Sequence, residues 1–265
     1  MSSLGFIGGG NMAEALIAGI VKRGELAAPE IMVCDVVQER CRHLSAKYGV
    51  QAASDSRALV GSCSTVILAV KPDTAGPVAE ELKDLLKDRL VISIAAGIRI
   101  SSFLEILGAQ ARVVRVMPNT PALVLQGVSV LAASDMCSRD DVEVTKGIFS
   151  SVGTCIEMDE RYLDAVTALS GSGPAFCFLV LEALADGGVR SGLPRDTALQ
   201  LASETMKGAA ALVIETGKHP AELKDMVTSP GGTTIEGLSV LEAGSVRSAI
   251  IDAVWAAYRK ASGLT

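Results

Sequence analysis

Short apolar runs alternate with amphipathic stretches along the first part of the chain. The apolar runs have the length of β-strands, and the stretches between them repeat their hydrophobic residues with the period of an α-helix. The predicted strands cover residues 4–8, 30–34, 65–70, 90–94, 112–117 and 127–132, and the predicted helices cover residues 12–23, 38–48, 77–86 and 101–107. This alternation indicates an α/β fold with a doubly wound, Rossmann-type sheet.

The pattern changes after about residue 157, where strong strand signals end and helical periodicity continues. The predicted helices there cover residues 162–169, 174–190, 195–216, 220–228, 234–243 and 245–261. We therefore expect a dinucleotide-binding domain over residues 1–160, followed by an all-helical domain over residues 161–265. These helices are rich in alanine, which permits close helix packing, so we expect the second domain to complete its core in a homo-oligomer.

The composition narrows the class of partner. The chain has 265 residues, of which 49% are hydrophobic, and its formal net charge is −6. Such a chain is globular, and its acidity disfavours a nucleic-acid partner. No window reaches the roughly 18 uncharged apolar residues of a membrane span. The residues before the first glycines lack the basic region of a signal peptide, so we expect a cytoplasmic location.

The six cysteines and two histidines show no spacing typical of metal ligands. No pair of cysteines forms C-x-x-C, and most lie in apolar runs, which favours buried free thiols. We therefore expect no metal site.

The first predicted strand ends in Gly8-Gly9-Gly10-Asn11-Met12-Ala13, which leads directly into a helical pattern. The spacing fits G-x-G-x-x-A, in which glycines form a tight turn and a helix N-terminus faces a pyrophosphate. The motif also arises by chance in a chain with 26 glycines, so a plain strand-turn-helix connection is the alternative. Its place on the first strand favours a dinucleotide site.

Asp35 follows the second predicted strand, 22 positions after Ala13. An acidic side chain at this point accepts hydrogen bonds from the adenosine ribose hydroxyls and repels a 2′-phosphate, which favours NADH. Arg40 and Arg42 are close enough in sequence to leave NADPH open. The alternative role for Asp35 is the N-cap of the next helix.

Two further segments follow predicted strands at the edge where a doubly wound sheet binds ligands. Lys71-Pro72 follows the third strand, and the lysine offers a cation to a phosphate or ribose. A solvated lysine at a strand end is the alternative. Ala95-Ala96-Gly97 follows the fourth strand, and these small residues would leave room for a nicotinamide ring.

A second glycine motif, Ser229-Pro230-Gly231-Gly232-Thr233-Thr234, joins two predicted helices. Its glycines free the backbone to direct N–H groups at an anion, and the helix N-terminus adds to the field. Two threonine hydroxyls complete a site suited to a small substrate with a carboxylate. A helix–helix turn with a threonine N-cap is the alternative.

Other motifs constrain the chemistry less. Gly171-Ser172-Gly173-Pro174 is either a helix start, with proline in the first turn, or small-residue packing beside a ligand. The sequence shows no Ser-His-Asp set and no motif with paired acids. A hydride acceptor that is already an iminium needs only binding, orientation and a proton partner for its nitrogen.

With these segments in place, the chain resembles the pyrroline-5-carboxylate reductase family over essentially its full length. The motifs that carry the resemblance are Gly5-Phe6-Ile7-Gly8-Gly9-Gly10-Asn11-Met12-Ala13, Ala69-Val70-Lys71-Pro72, Ile94-Ala95-Ala96-Gly97, Met117-Pro118-Asn119-Thr120-Pro121, Ala168-Leu169-Ser170-Gly171-Ser172-Gly173-Pro174-Ala175 and Leu223-Lys224-Asp225-Met226-Val227-Thr228-Ser229-Pro230-Gly231-Gly232-Thr233-Thr234. The resemblance implies reduction of L-1-pyrroline-5-carboxylate to L-proline by NADPH or NADH, the final step of proline biosynthesis. It also implies a helical dimerisation domain, often assembled into rings of dimers.

The resemblance also implies roles for individual residues. The substrate carboxylate would lie on the loop formed by Ser229, Gly231, Gly232 and Thr233, and the ring nitrogen would meet Thr234, the candidate catalytic residue. Together with Asp35, the candidate cofactor contacts are Phe6, Ile7, Gly8, Gly9, Gly10, Asn11, Met12, Ser56, Ala69, Val70, Lys71, Pro72, Ala95, Ala96 and Gly97.

Three positions depart from the family pattern. Ser56 stands where the family often has an asparagine at the adenosine end, and Leu125 replaces a common glycine. Asp35 stands where members that prefer NADPH often have serine, asparagine or arginine.

The implied reaction moves a hydride from C4 of the nicotinamide to the imine carbon, which is C5 in proline numbering. Thr234 would position the nitrogen. Its unperturbed hydroxyl is too weak an acid to drive protonation alone, so its part in protonation would be to relay a proton. A β-hydroxyacid dehydrogenase or a related imine reductase is one alternative, although Lys207 is followed at the fourth position by Ala211 and not by asparagine. A non-catalytic dinucleotide-binding protein is the other, and the intact loop at residues 229–234 disfavours it.

Overall fold

The structure is a computed structural model that describes residues 2–264. Met1 and Thr265, the outer limits of the two predicted domains, lie outside the described residues. The chain forms two compact units, one that extends to Gly171 and also includes the segment from Ala257 onward, and one over Ser172–Ala256. Residues 161–171 are therefore grouped with the first unit. The division at residues 160 and 161 remains a prediction about which segments carry which function.

The first unit is built on one eight-stranded sheet in the order β3-β2-β1-β4-β5-β6-β7-β8. All neighbouring strands are parallel except β6 and β7. The strands are β1 (Ser2–Ile7), β2 (Ile31–Cys34), β3 (Gln51–Ala52), β4 (Cys63–Leu68), β5 (Leu90–Ser93), β6 (Arg112–Met117), β7 (Gly127–Ala133) and β8 (Gly153–Glu157). The order reverses between β1 and β4, so the predicted doubly wound, Rossmann-type sheet is confirmed, and a ligand crevice is expected at this switch point.

Helices connect the strands of this unit. They are α1 (Asn11–Arg23), α2 (Gln38–Tyr48), α3 (Ser56–Ser62), α4 (Pro72–Glu81), α5 (Lys83–Leu86), α6 (Ile100–Leu107), α7 (Arg139–Ser150) and α8 (Leu163–Val166). A π-helical turn, Thr167–Gly171, follows α8 directly.

The helices cover both faces of the sheet, because alternate residues of one strand enter different cores. Phe6 of β1 belongs to a core with Leu16 and Ile17 of α1, whereas Ile7 belongs to a second core with Leu59 of α3. Residues buried on both faces explain why the strands form nearly continuous apolar runs in the sequence.

Several local predictions differ from the structure. The predicted helix at residues 77–86 is two helices, and the first begins earlier, at Pro72. Proline is favoured in the first turn of a helix, where its missing N–H needs no acceptor, so Pro72 and not Pro77 marks the start. Among the strands and α-helices, β3, α3, α7 and β8 were not predicted.

The second unit is helical, as predicted, with α9 (Gly173–Arg190), α10 (Arg195–Thr216), α11 (Pro220–Met226), α12 (Thr233–Ala243) and α13 (Val246–Ala261), whose last residues are grouped with the first unit. Its buried hydrophobic core in the single chain is small: Ala185, Ala198, Ala202 and Leu223. Large apolar side chains lie on its surface, for example Phe178, 62% exposed, and Ile214, 81% exposed. A surface of this kind needs cover that one chain does not provide.

One helical stretch of the described residues, Glu160–Arg190, is long and apolar enough to cross a membrane, with a mean hydropathy of 1.5. Only 11% of the apolar 18-residue window within this stretch is buried inside the chain. A single stretch judged by length and composition is weak support for a span, since an apolar interface helix has the same composition. The absence of a membrane partner remains a prediction.

Candidate active site

The glycine turn lies at the carboxyl end of β1. Gly8 has φ +103°, and a side-chain Cβ there would lie 2.4 Å from the carbonyl oxygen of Ala69. Both facts restrict the position to glycine. Gly10 is the N-cap of α1, and a Cβ built on it meets no atom within 4 Å. The turn is therefore closed against β4 at Gly8 and open at Gly10.

Strand register brings three chain segments together at this edge. Ile7 pairs with both Cys34 and Leu68, so Gly8, Asp35 and Ala69 follow adjacent strands at one level. The Gly8 N–H donates to the Cys34 carbonyl at 2.8 Å, and the Ala69 N–H donates to the Ile7 carbonyl at 2.8 Å.

Two side chains hold the middle residue of the turn. The Gly9 N–H donates to Oδ2 of Asp35 at 2.6 Å, and the Gly9 carbonyl accepts from Nε of Arg40 at 2.8 Å. The other oxygen of Asp35, Oδ1, accepts from the Val37 N–H at 2.8 Å. Asp35 thus binds backbone on both sides and does not cap α2, whose N-cap is Val37.

Glu14, in the first turn of α1, is the centre of a polar cluster beside the turn. Its carboxylate accepts from Arg40 Nη2 at 2.8 Å, Lys47 Nζ at 2.9 Å and the Tyr48 hydroxyl at 3.2 Å, and it lies 3.1 Å from His43 Nε2. Partial burial raises the pKa of Glu14, but these hydrogen bonds outweigh it and lower the pKa from 4.5 to about 2. Glu14 is therefore ionised at neutral pH.

A cleft of about 640 Å³ opens at the carboxyl ends of β1, β2 and β4. Its lining includes three carboxylates, Asp35, Asp55 and Glu81, and one lysine, Lys71. Backbone and side-chain hydrogen bonds from Ala58 and Ser54 lower the pKa of Asp55, so this carboxylate is also charged. The apolar part of the lining includes Val36, which is 99% exposed. A cleft of this size at a switch point suits a nucleotide.

The cleft brings together eight of the candidate cofactor residues: Ile7, Gly8, Gly10, Asp35, Ser56, Ala69, Val70 and Lys71. The other eight do not line it: Phe6, Gly9, Asn11, Met12, Pro72, Ala95, Ala96 and Gly97. The side chain of Phe6 is fully buried in the sheet core, so only its backbone is close to the turn. Sequence reasoning missed the other lining residues: Cys34, Val36, Gln38, Ser54, Asp55, Thr74, Val78 and Glu81. The run Ser54-Asp55-Ser56 carried a usable signal, because Asp55 caps α3 through a bond from the Ala58 N–H.

Two of the sequence motifs meet within the first unit. The Asn119 side chain donates to the Ser170 carbonyl at 3.2 Å and accepts from the Val128 N–H at 2.8 Å. A Cβ on Gly171 would lie 2.5 Å from Cε of Met117, so a larger residue there would have to displace the end of that side chain. Leu125, in the same connection, has φ +61°. This left-handed conformation favours glycine, so the leucine adopts it at a cost in backbone strain.

A buried ion pair holds the segment that precedes the π-helical turn Thr167–Gly171. Arg115 of β6 is 3% exposed, and its guanidinium bonds Glu160 Oε1 at 3.2 Å and Asp164 Oδ1 at 3.1 Å. Glu160 also accepts from the Ile100 N–H at 2.7 Å, at the start of α6. These contacts fix residues 160–164 to the sheet.

The candidate substrate loop lies between α11 and α12 in the second unit. Gly231 has φ +67°, which favours glycine, and a Cβ on Gly232 would lie 2.3 Å from the Ser229 hydroxyl oxygen and 3.2 Å from the Ser229 carbonyl oxygen. Gly232 is the N-cap of α12, and Thr233 and Thr234 are its first residues. The first N–H groups of a helix lack intrahelical acceptors, so this loop presents donors suited to a carboxylate. The Thr234 hydroxyl has no hydrogen-bond partner in residues 2–264.

The other reactive side chains do not form a second centre. Within the described residues, no group of three or more His, Cys, Asp or Glu side chains could hold a metal ion, and all six cysteines are free thiols. Burial raises the pKa of Cys63 and of Cys155 to about 11, so neither thiol is a nucleophile at neutral pH. A second, mainly apolar cleft of about 470 Å³ contains Leu4, Ile20 and Val144 and none of the candidate site residues.

Comparison with known proteins agrees with this geometry. Residues 160–264 match the family described as pyrroline-5-carboxylate reductase dimerisation, and residues 3–97 match the one described as NADP oxidoreductase coenzyme F420-dependent. A pyrroline-5-carboxylate reductase of Methanosarcina acetivorans is 46% identical over 95% of this chain and 93% of its own length. One from Arabidopsis thaliana is 45% identical over 99% of this chain and 95% of its own length.

Solved structures give the same result. A pyrroline-5-carboxylate reductase from Coxiella burnetii has a TM-score of 0.93 and 38% identity, covering 100% of this chain and 98% of that one. A pyrroline carboxylate reductase from Plasmodium falciparum, with NADP bound, has a TM-score of 0.90 and 34% identity over 98% and 97% of the two chains.

Proposed function

The chain belongs to the pyrroline-5-carboxylate reductase family, and we propose that it reduces L-1-pyrroline-5-carboxylate to L-proline with NADH or NADPH. The observation that carries this proposal is 46% identity over 95% of the chain to a reductase of that name. The nucleotide cleft and the glycine-threonine loop at residues 229–234, which the sequence assigns to donor and acceptor, are both intact.

The reduced nicotinamide, when bound, supplies the hydride. The chain supplies binding and orientation. The open N–H side of the glycine turn would hold the pyrophosphate, and the crevice residues Ala69, Val70 and Lys71 would contact the rest of the nucleotide. The substrate would bind at the loop between α11 and α12. The backbone N–H groups of Gly231, Gly232 and Thr233, together with Ser229, would hold its carboxylate.

We assign the ring nitrogen to Thr234. Its hydroxyl is both a donor and an acceptor and has no partner in the described part of the chain, so it is available to the substrate. Thr234 would hold the nitrogen in the orientation that exposes the imine carbon, and it would pass a proton between solvent and nitrogen. The protonated imine is the better hydride acceptor.

The chain carries a dimerisation domain, and we propose that it acts as a homodimer through α9 to α13, assembled further into rings of dimers. The support is the exposed apolar surface of this unit, with Phe178, Leu179, Ile214, Val240 and Trp255 all largely accessible. Sedimentation velocity should show multiples of a dimer, and a monomer at micromolar concentration would contradict the proposal. Burial of this surface between subunits would also account for the apolarity of Glu160–Arg190.

We also propose that the reaction takes place in the cytoplasm. Free thiols at all six cysteines are typical of a reducing compartment. Cell fractionation tests this, and recovery with the membrane fraction would contradict it.

The activity is tested by incubating the protein with L-1-pyrroline-5-carboxylate and either nucleotide. We expect the absorbance of the reduced nicotinamide to fall and L-proline to accumulate in equal amount. The same mixture without the imine is the control. No nucleotide oxidation with either NADH or NADPH would contradict the proposed function.

A further inference from the structure

Both peptide groups around Gly9 are fixed by side chains from outside the turn. Asp35 holds the N–H and Arg40 holds the carbonyl, at 2.6 Å and 2.8 Å. A Cβ built on Gly9 would lie 3.5 Å from Asp35 Oδ2 and 3.6 Å from Arg40 Cβ. Asp35 and Arg40 therefore flank one residue of the nucleotide turn.

The contact from Arg40 has a consequence for Gly10. The peptide bond between Gly9 and Gly10 is trans, so its carbonyl and its N–H point in opposite directions. Because Arg40 holds the carbonyl, the Gly10 N–H points away from Arg40. Gly10 lines the cleft, and its N–H has no acceptor within residues 2–264. Arg40 thus orients a backbone donor at the cleft although its own side chain does not line that cleft.

Arg40 is in turn held by Glu14. Its Nη2 donates to Glu14 Oε2 at 2.8 Å, while Nε donates to Gly9. Glu14 is charged at neutral pH, since its hydrogen bonds lower its pKa to about 2. Nε and Nη2 of the guanidinium are therefore both engaged, while the side chain as a whole stays 32% exposed. Arg40 does not line the cleft.

The cleft itself disfavours an additional phosphate. Its lining carries Asp35, Asp55 and Glu81 against Lys71 alone among the described residues. A carboxylate has about four acceptor sites, so Asp35 retains acceptors for ribose hydroxyls after its two backbone bonds. A 2′-phosphate, which carries close to two negative charges, would meet like charge and no guanidinium in the lining of the cleft.

We propose that the chain selects NADH over NADPH, and that Glu14 is a positioning residue for this choice. Glu14 keeps Arg40 on the Gly9 carbonyl, which presents the Gly10 N–H to the pyrophosphate and withholds the guanidinium from the adenosine 2′ position. Asp35 contacts the ribose directly. The proposal rests on the proposed NAD(P)H-dependent function, and it deepens that function by naming the donor.

The test measures the Kd of NADH and of NADPH by isothermal titration calorimetry in the absence of substrate. We expect the wild type to bind NADH at least about tenfold more tightly. Glu14→Gln frees Arg40, so NADH should bind more weakly, NADPH more tightly, and the preference should fall by about tenfold. Glu105→Gln, which removes one exposed negative charge from α6, is the matched control and should keep the wild-type ratio.

A second variant separates two properties of Arg40: its hydrogen bond to the Gly9 carbonyl and its positive charge. Arg40→Met removes the bond to the Gly9 carbonyl and adds no free cation, so both nucleotides should bind more weakly by a similar factor. This variant and the wild type remain decisive if Glu14→Gln fails to fold. Equal or tighter wild-type binding of NADPH would overturn the selection, and an unchanged ratio in Glu14→Gln would overturn its positioning role. Selective NADH binding without turnover of pyrroline-5-carboxylate would instead contradict only the proposed function.

Discussion

The carboxylate of Asp35 accepts a hydrogen bond from the Gly9 N–H at 2.6 Å, across 26 positions of the chain. This bond joins the proposed ribose contact to the turn that we propose holds the pyrophosphate. Two parts of the proposed nucleotide site are thus joined by a hydrogen bond within the chain itself. Such preorganisation lowers the cost of ordering the site on binding.

Gly8 and Gly10 should respond differently to an added methyl group. Gly8→Ala places a Cβ 2.4 Å from the Ala69 carbonyl oxygen at φ +103°, so we expect a loss of about 2 kcal/mol of stability and at least tenfold weaker nucleotide binding. Gly10→Ala has open space, so its stability should stay near that of the wild type while binding weakens. Urea unfolding and calorimetric titration measure the two effects. Equal stability of the two variants would contradict the steric account.

Thr234→Ala should lower turnover of pyrroline-5-carboxylate at least about tenfold and leave nucleotide affinity intact, because it removes only the proposed partner of the ring nitrogen. Thr234→Ser retains the hydroxyl and should recover most of the rate. Thr154→Ala, on the exposed face of β8, controls for the loss of a threonine. Steady-state kinetics for all three variants check this, and unchanged kinetics in Thr234→Ala would remove that residue from the site.

Arg115→Met should destabilise the first unit by about 3 kcal/mol, since it leaves Asp164 and Glu160 without their buried counter-ion. Urea unfolding followed by circular dichroism measures this loss. Arg247→Met, which breaks the exposed pair with Glu242, is the matched control and should cost far less stability, because solvent screens that pair. Similar losses in the two variants would show that the Arg115 contacts are not specially stabilising.

Glu14 should contribute to acid sensitivity. Its pKa is lower in the folded chain than its ordinary value of 4.5, so its contribution is fully present above that value and is lost as the pH falls toward about 2. The wild type should lose more stability than Glu14→Gln over this range. Unfolding free energies at pH 5 and pH 3 give the comparison, and parallel losses would contradict a native-state origin of the lowered pKa.

The fold could be predicted from the sequence wherever residues are buried on both faces of the sheet. Arg112–Met117 forms a strand over the predicted residues, and the helix Gln38–Tyr48 has its predicted limits. Strand β8 was missed because its residues are mostly half-exposed or exposed, which removes the apolar run. Helix α7 was missed although Ser138 and Asp141 form a capping box, a signal that sequence reasoning could have used.

The candidate site could be predicted where a short sequence motif determines the local backbone conformation. The glycine turn and Lys71 lie in one cleft because they follow adjacent parallel strands. The assignment of Phe6 as a contact does not extend to its side chain, since alternation along β1 turns that side chain into the core. The bonds of Arg40 to Gly9 and Glu14 join residues that are distant in the chain, so no local sequence pattern predicts them.

The proposed reduction of L-1-pyrroline-5-carboxylate is tested most directly by following the transferred hydride. The protein is incubated with L-1-pyrroline-5-carboxylate and NADH that carries deuterium on the transferred face of C4, and the proline is analysed by nuclear magnetic resonance. We predict one deuterium at C5 of L-proline and none at other carbons. Formation of no proline, or of proline without deuterium at C5, would contradict direct hydride transfer to the imine carbon.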